Sequence, residues 1–190
     1  MERISLSPHE KKAAKAWAED DTWVKQEKYR EDKEYLACVQ DILDNPVFNQ
    51  MEAYFQHGNT TCREHCIRVS YMSYKLCRKL GWEYYETSRA ALLHDLFLYD
   101  WHTHAKETGE HFHGFTHPRV AMNNAVRYFD VTERQKDMIL RHMWPLTPIP
   151  PKSKEGFVII YADKFCGLSE VVLRMKDWFV CNLHPAWSRR

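Results

Sequence analysis

"RAALLHDLFLYDW", residues 89–101, sets an imidazole and a carboxylate side by side in the middle of an otherwise apolar segment. The pattern predicts a helix, capped by Ser88 and ending near Tyr99. Around His94 and Asp95 such a helix carries Ala90, Ala91, Leu92, Leu93, Leu96, Phe97 and Leu98. No rotation exposes both polar groups without also exposing large apolar ones, so the segment belongs in the interior. A charged Asp95 placed there needs an Arg, a hydrogen-bonded neutral His or a bound cation to compensate it.

The flanking sequence is helical in character. Only six glycines occur, and no segment alternates apolar and polar residues for long, whereas several repeat apolar residues at i, i+3 and i+4. The chain is expected to be all-α. "SPHEKKAAKAW" opens a first, highly charged helix with Ser7 as N-cap, Pro8 at the first position and Glu10 completing a capping box. A second helix covers Glu34 to Leu43, and a short piece follows around Phe48 to Phe55. Thr61 and Glu64 form another capping box, and Lys79-Leu80-Gly81 closes the helix it begins, from about Cys62 to Leu80. Residues 100–116, with four His and no apolar stripe, are expected to be a long exposed loop. A helix resumes after Thr116-His117-Pro118 and runs to about Phe129. Thr132 and Gln135 cap another that ends at "HMWPLTPIPP", and a last long helix runs from Ser153 toward Phe179.

Length and composition bound the function classes. The 190 residues suit one domain with a full core, expected as a compact helical bundle over 57–180 with residues 1–56 as an N-terminal helical extension packed on it and 181–190 as a tail. Twenty-seven basic against 26 acidic residues leave a net charge of +1, so no global field favours nucleic acid or a membrane surface. Six cysteines without a CxxC pair read as buried reduced thiols. The N-terminal residues lack an apolar signal core, and no apolar run is long enough to span a bilayer. A cytoplasmic protein is the expectation, with the charged first helix offering a contact surface for a homodimer.

Eleven His are many for this length, and they invite a search for ligand geometry. His65 shares a helix face with Val69 and Met72; His142 follows Met138 and Ile139 at i−4 and i−3; Asp163 follows Ile159 and Ile160 in the same way. His117 sits at a helix start. With His94 and Asp95, these side chains could hold two divalent ions with an Asp carboxylate bridging them. Imidazole and carboxylate without thiolate favour iron or manganese, with cobalt, zinc or nickel behind. From spacing alone, a metal site and a set of structural polar pairs stay equally open.

The ordered motifs "REHCIRVS", "AALLHDL", "HPRVAMNNA", "ILRHM" and "YADK" resemble the HD superfamily of metal-dependent phosphohydrolases, named for its adjacent His-Asp. The resemblance covers roughly residues 57–170. The two intervening His are similar to those of members with binuclear sites, such as the HD-type bacterial symmetrical dinucleoside tetraphosphatases. It implies one ion held by His65, His94, Asp95 and Asp163, and a second by Asp95, His117 and His142. No Gly-Tyr-Pro signature of the cyclic-dinucleotide branch occurs, which disfavours that substrate.

The expected chemistry is hydrolysis of a phosphate ester or anhydride of a nucleotide or small phosphorylated metabolite. In it Asp95 bridges the ions and orients the nucleophilic water, and Lys164 and Arg68 supply cationic contacts to phosphate. His113, close to His117 in sequence, is a candidate from the His-rich loop, and Trp101 and Trp144 are candidates to stack on a base. The alternatives are a binuclear-iron oxygenase of the same superfamily and a non-catalytic nucleotide-binding module.

Overall fold

The computed structural model describes residues 28–57, 60–100 and 113–183, with side chains at 28–56, 60–100 and 114–172. The charged first helix expected from Ser7 onward, the tail beyond Leu183 and most of the His-rich segment, including Trp101, lie outside the described residues.

Seven α-helices are described: α1 (Lys33–Leu43), α2 (Pro46–Asn49), α3 (Cys62–Leu80), α4 (Tyr85–Leu93), α5 (His113–Tyr128), α6 (Glu133–Arg141) and α7 (Lys154–Leu183). One small antiparallel hairpin, β1 (Phe55–His57) with β2 (Thr60–Thr61), precedes α3 and pairs Phe55 with Thr61. The fold is all-α around this hairpin. Among the described residues, no helix is long and apolar enough to cross a membrane.

Helix α3 organises the rest. Thr61 Oγ1 accepts from the Glu64 amide while the Glu64 carboxylate accepts from the Thr61 amide, so two orphan donors are satisfied at its start. Gly81 ends it in the left-handed region at φ 65°, a conformation that costs glycine least. Over about 28 Å nearly its whole circumference is buried, from His65 and Cys66 through Val69, Met72 and Tyr74 to Cys77. It packs against α4 on one side and α7 on the other, while α4 and α5 both meet α6, and α1 covers α4. A buried hydroxyl chain ties three of these helices together: Tyr35 donates to Ser70 at 2.9 Å, and Ser70 donates to the Ser88 carbonyl at 2.7 Å. The described cysteines 38, 62, 66, 77 and 166 are free thiols buried in this core.

Three boundaries beside the ligand residues differ from the sequence expectation. Helix α4 begins at Tyr85 rather than after Ser88, because the Glu83 carboxylate accepts from the Tyr85 and Glu86 amides at 3.1 and 2.7 Å and does the work of a cap. It also ends early, at Leu93, so His94 is its C-cap and Asp95 lies in the turn beyond rather than inside a helix running to Tyr99. Burial still holds across the turn, since Leu96 and Phe97 are as buried as Leu92 and Leu93. Helix α5 starts at His113, so residues 113–116 are helical rather than loop, with Pro118 inside the second turn. Proline there removes an amide that would have bonded the first-turn carbonyl of Gly114, a small loss so close to a helix start.

Candidate metal centre

Five elements deliver six ligand-type side chains to one buried spot. His65 comes from the first turn of α3, His94 and Asp95 from the turn ending α4, His117 from α5, His142 from the end of α6 and Asp163 from α7. All four imidazoles and Asp95 are at most 5 % exposed. The convergence expected from sequence is therefore present.

The geometry falls into two overlapping halves. In the first, His65 Nε2 lies 3.2 Å from Asp163 Oδ1, and His94 Nε2 lies 3.7 Å from the same oxygen. In the second, Asp95 Oδ1 lies 3.2 Å from His117 Nε2 and 3.4 Å from His142 Nε2. Asp95 joins them, because its Oδ2 is 3.5 Å from His94 Nε2. The donor atoms of His65, His94 and Asp163 all lie within 4.8 Å of one another, as do those of His94, Asp95 and His142.

Two of the rings are oriented by backbone. His94 Nδ1 sits 2.7 Å from the Ala91 carbonyl and His142 Nδ1 sits 2.7 Å from the Ile139 carbonyl, each three residues back at the end of its helix. A carbonyl only accepts, so each Nδ1 carries the proton and each Nε2 turns toward the carboxylates. His94 Nε2 and Asp95 Oδ1 are buried and have no hydrogen-bond partner among the described residues. Two buried atoms that each offer a lone pair and find no donor fit a cation in this cluster.

Charge is concentrated accordingly. Burial alone would raise the Asp95 carboxyl, but His94, His117 and His142 hold it well below the ordinary carboxylate range. Asp163 is treated likewise by His65 and His94. Burial disfavours a charged His65, yet Asp163 and Glu170 raise its pKa to about 10. His94 is raised well above the usual imidazole value against burial, chiefly by Asp95, whereas burial, reinforced by His94, lowers His142 despite its hydrogen bond to Asp95. The two ligand carboxylates are thus compensated by positive charge from the surrounding rings.

Other candidates are placed differently. Lys164 is half-exposed beside the cluster, its Nζ 2.9 Å from Asp163 Oδ2. Arg68 donates to Glu170 at 3.2 Å. His113 is the first residue of α5, and its side chain lies outside the described residues. Trp144 packs edge-on against Phe157, with ring centroids 5.6 Å apart.

Two supporting residues escaped the sequence reading. Gln56 on β1 donates its amide to Asp95 Oδ2 at 2.6 Å and accepts from the Cys62 thiol at 3.2 Å. Glu170 on α7 lies 3.1 Å from His65 Nδ1. Its spacing of seven residues from Asp163 puts both on one helix face, a signal the sequence did carry. Nothing local marks Gln56, because its partner is 39 residues away.

The HD-domain family model matches residues 63–168, more than half of the chain and the span that holds all six residues. The chain belongs to the HD-domain family. No curated protein and no solved structure matches it. The adjacent His94 and Asp95 lie within the matched span, at the join of the two halves of the cluster. An HD domain belongs to a superfamily made up mostly of metal-dependent phosphohydrolases, and the buried His and Asp groups here could bind a divalent metal.

Proposed function

We propose that this HD domain hydrolyses a phosphate ester or anhydride of a nucleotide or small phosphorylated metabolite. Six residues would hold two divalent cations, iron or manganese by preference: His65, His94, Asp95 and Asp163 one, and Asp95, His117 and His142 the other. The observation that carries the reading is the pair of partnerless buried atoms, His94 Nε2 and Asp95 Oδ1, enclosed by imidazole and carboxylate donors. Bound cations would supply a water acidified toward hydroxide near neutral pH and would neutralise phosphoryl charge.

The chain's own residues supply the rest. Ala91 and Ile139 hold the His94 and His142 rings in one orientation, so little reorganisation is needed when a ligand arrives. Gln56 keeps one Asp95 oxygen occupied and the carboxylate plane fixed. Lys164, an exposed ammonium next to Asp163, is the described cation best placed to take a phosphate oxygen. Buried Leu96 and Phe97 follow Asp95 and keep bulk water from its inner side.

The test is elemental analysis of protein purified without chelator or a metal-affinity tag, followed by phosphate-release assays with Mn²⁺ and Fe²⁺. The panel includes nucleoside mono-, di- and triphosphates, symmetrical dinucleoside tetraphosphates and sugar phosphates. Two metal equivalents per chain and an activity that disappears in Asp95→Ala protein are expected. A folded, metal-loaded sample inactive across that panel would overturn the reading.

A further inference from the structure

The three imidazoles at the two three-residue groupings are not held alike. His94 and His142 each rest Nδ1 on a carbonyl at the end of a helix, where no amide ahead claims it. His65 lies in the first turn of α3, where the preceding carbonyls accept intrahelical bonds, and a side chain faces its Nδ1.

Glu170 fills that place. Both of its oxygens face His65 Nδ1, at 3.1 and 3.3 Å, while Asp163 faces the opposite nitrogen at 3.2 Å. Arg68, one turn after His65 on α3, closes on Glu170 Oε1 at 3.2 Å. The Glu170 side chain is 1 % exposed, so its charge is uncompensated without these neighbours.

We propose that Glu170, backed by Arg68, is a positioning residue that fixes the proton of His65 on Nδ1 and so commits Nε2 to a divalent cation. The inference rests on the metal-binding reading above and adds to it a residue outside the six. Both Glu170 oxygens face Nδ1, and carboxylate oxygens accept, so the contact places a proton on Nδ1. A metal ligand must offer a lone pair, and the remaining nitrogen is the one turned to Asp163. Arg68 donates to Glu170 Oε1, which gives it a role through Glu170 and His65 rather than on substrate.

The test is Mn²⁺ titration of the full chain by calorimetry, for wild type, Glu170→Ala, Glu170→Gln and Arg68→Met/Glu170→Gln, with metal-free melting temperatures recorded alongside. Glu170→Ala is expected to bind Mn²⁺ about 10–100-fold more weakly. Glu170→Gln, isosteric and the fallback if the alanine variant does not fold, is expected between it and wild type. The double variant should bind as Glu170→Gln does, because Arg68 acts through the carboxylate. In Zn²⁺-loaded wild type, nitrogen-15 spectra should show His65 protonated on Nδ1, and Glu170→Gln should weaken that preference. Wild-type protein that binds no Mn²⁺ overturns the metal reading itself. Wild-type binding with unchanged affinity in folded Glu170 variants, or with His65 protonated on Nε2, overturns this inference alone.

Discussion

His117 and His142 meet Nε2 to Nε2 at 2.9 Å, with Asp95 Oδ1 within 3.4 Å of both nitrogens. The His142 Nδ1 proton is committed to Ile139, so its Nε2 lone pair faces the other ring. Such an approach is stable only with a proton or a cation shared between the nitrogens. Replacing either ring by alanine is expected to remove one metal equivalent while leaving the His65–Asp163 half loaded. Elemental analysis reads the stoichiometry. Phosphate release should fall by at least about 100-fold, the upper end of what disturbing mere supports of a ligand costs.

Because the ligands come from five separate elements, cation binding should tie those elements together. Mn²⁺ at about a hundred times its dissociation constant contributes about 2.7 kcal/mol of stability, which for a chain of this size raises the melting temperature by roughly 5–10 °C. Chelator should return the midpoint to its starting value. A midpoint that ignores both additions would count against any cation in the cluster.

Glu155 gives the fold a pH dependence away from the metal centre. Burial works to raise its carboxyl, but its own backbone amide and the Arg134 guanidinium, 2.6 Å away, hold it below the usual value. A group depressed in the folded state adds stability above its unfolded pKa, about 4.3 for glutamate. That stability is lost as pH falls through the folded value. Glu155→Gln should therefore melt lower than wild type at pH 7, with the gap narrowing as the pH approaches 3. Thermal denaturation at several pH values checks this, and a gap constant with pH would contradict it.

Gly156, in the first turn of α7, is set by close approach rather than by backbone freedom. A Cβ there would collide with the Pro151 ring, whose Cγ would be 3.0 Å away and whose Cβ would be nearer still. On helix propensity alone Gly156→Ala would stabilise by up to about 1 kcal/mol. The overlap with a rigid ring costs more, so a net loss of about 1–2 kcal/mol is expected. Urea denaturation measures it.

The parts of this structure legible in the sequence are those governed by local chemistry. Thr61 with Glu64 and Thr132 with Gln135 begin α3 and α6 where the capping boxes put them, and Gly81 ends α3. His65, His94, Asp95, His142 and Asp163 could be named because each is a polar residue among apolar ones whose burial is nearly obligatory, whereas His117 was read from its place at a helix start, and the six became a ligand set only through the resemblance to the HD superfamily. What was not legible depends on distant partners. Glu83 caps α4 better than Ser88 can, and the Ser88 hydroxyl instead bonds the Tyr85 carbonyl. Arg68 looked available for phosphate until α7 brought Glu170 beside it.

The hydrogen bonds from His94 and His142 to Ala91 and Ile139 have a consequence beyond ligand orientation. Both carbonyls belong to the final turn of their helices, so each ring also plugs a helix terminus that would otherwise fray. Truncating either ring loosens the scaffold even where no chemistry is at stake. A descendant that bound no cation would still be under pressure to keep both rings, so their retention says less about cation binding than retention of His117 or Asp163 does.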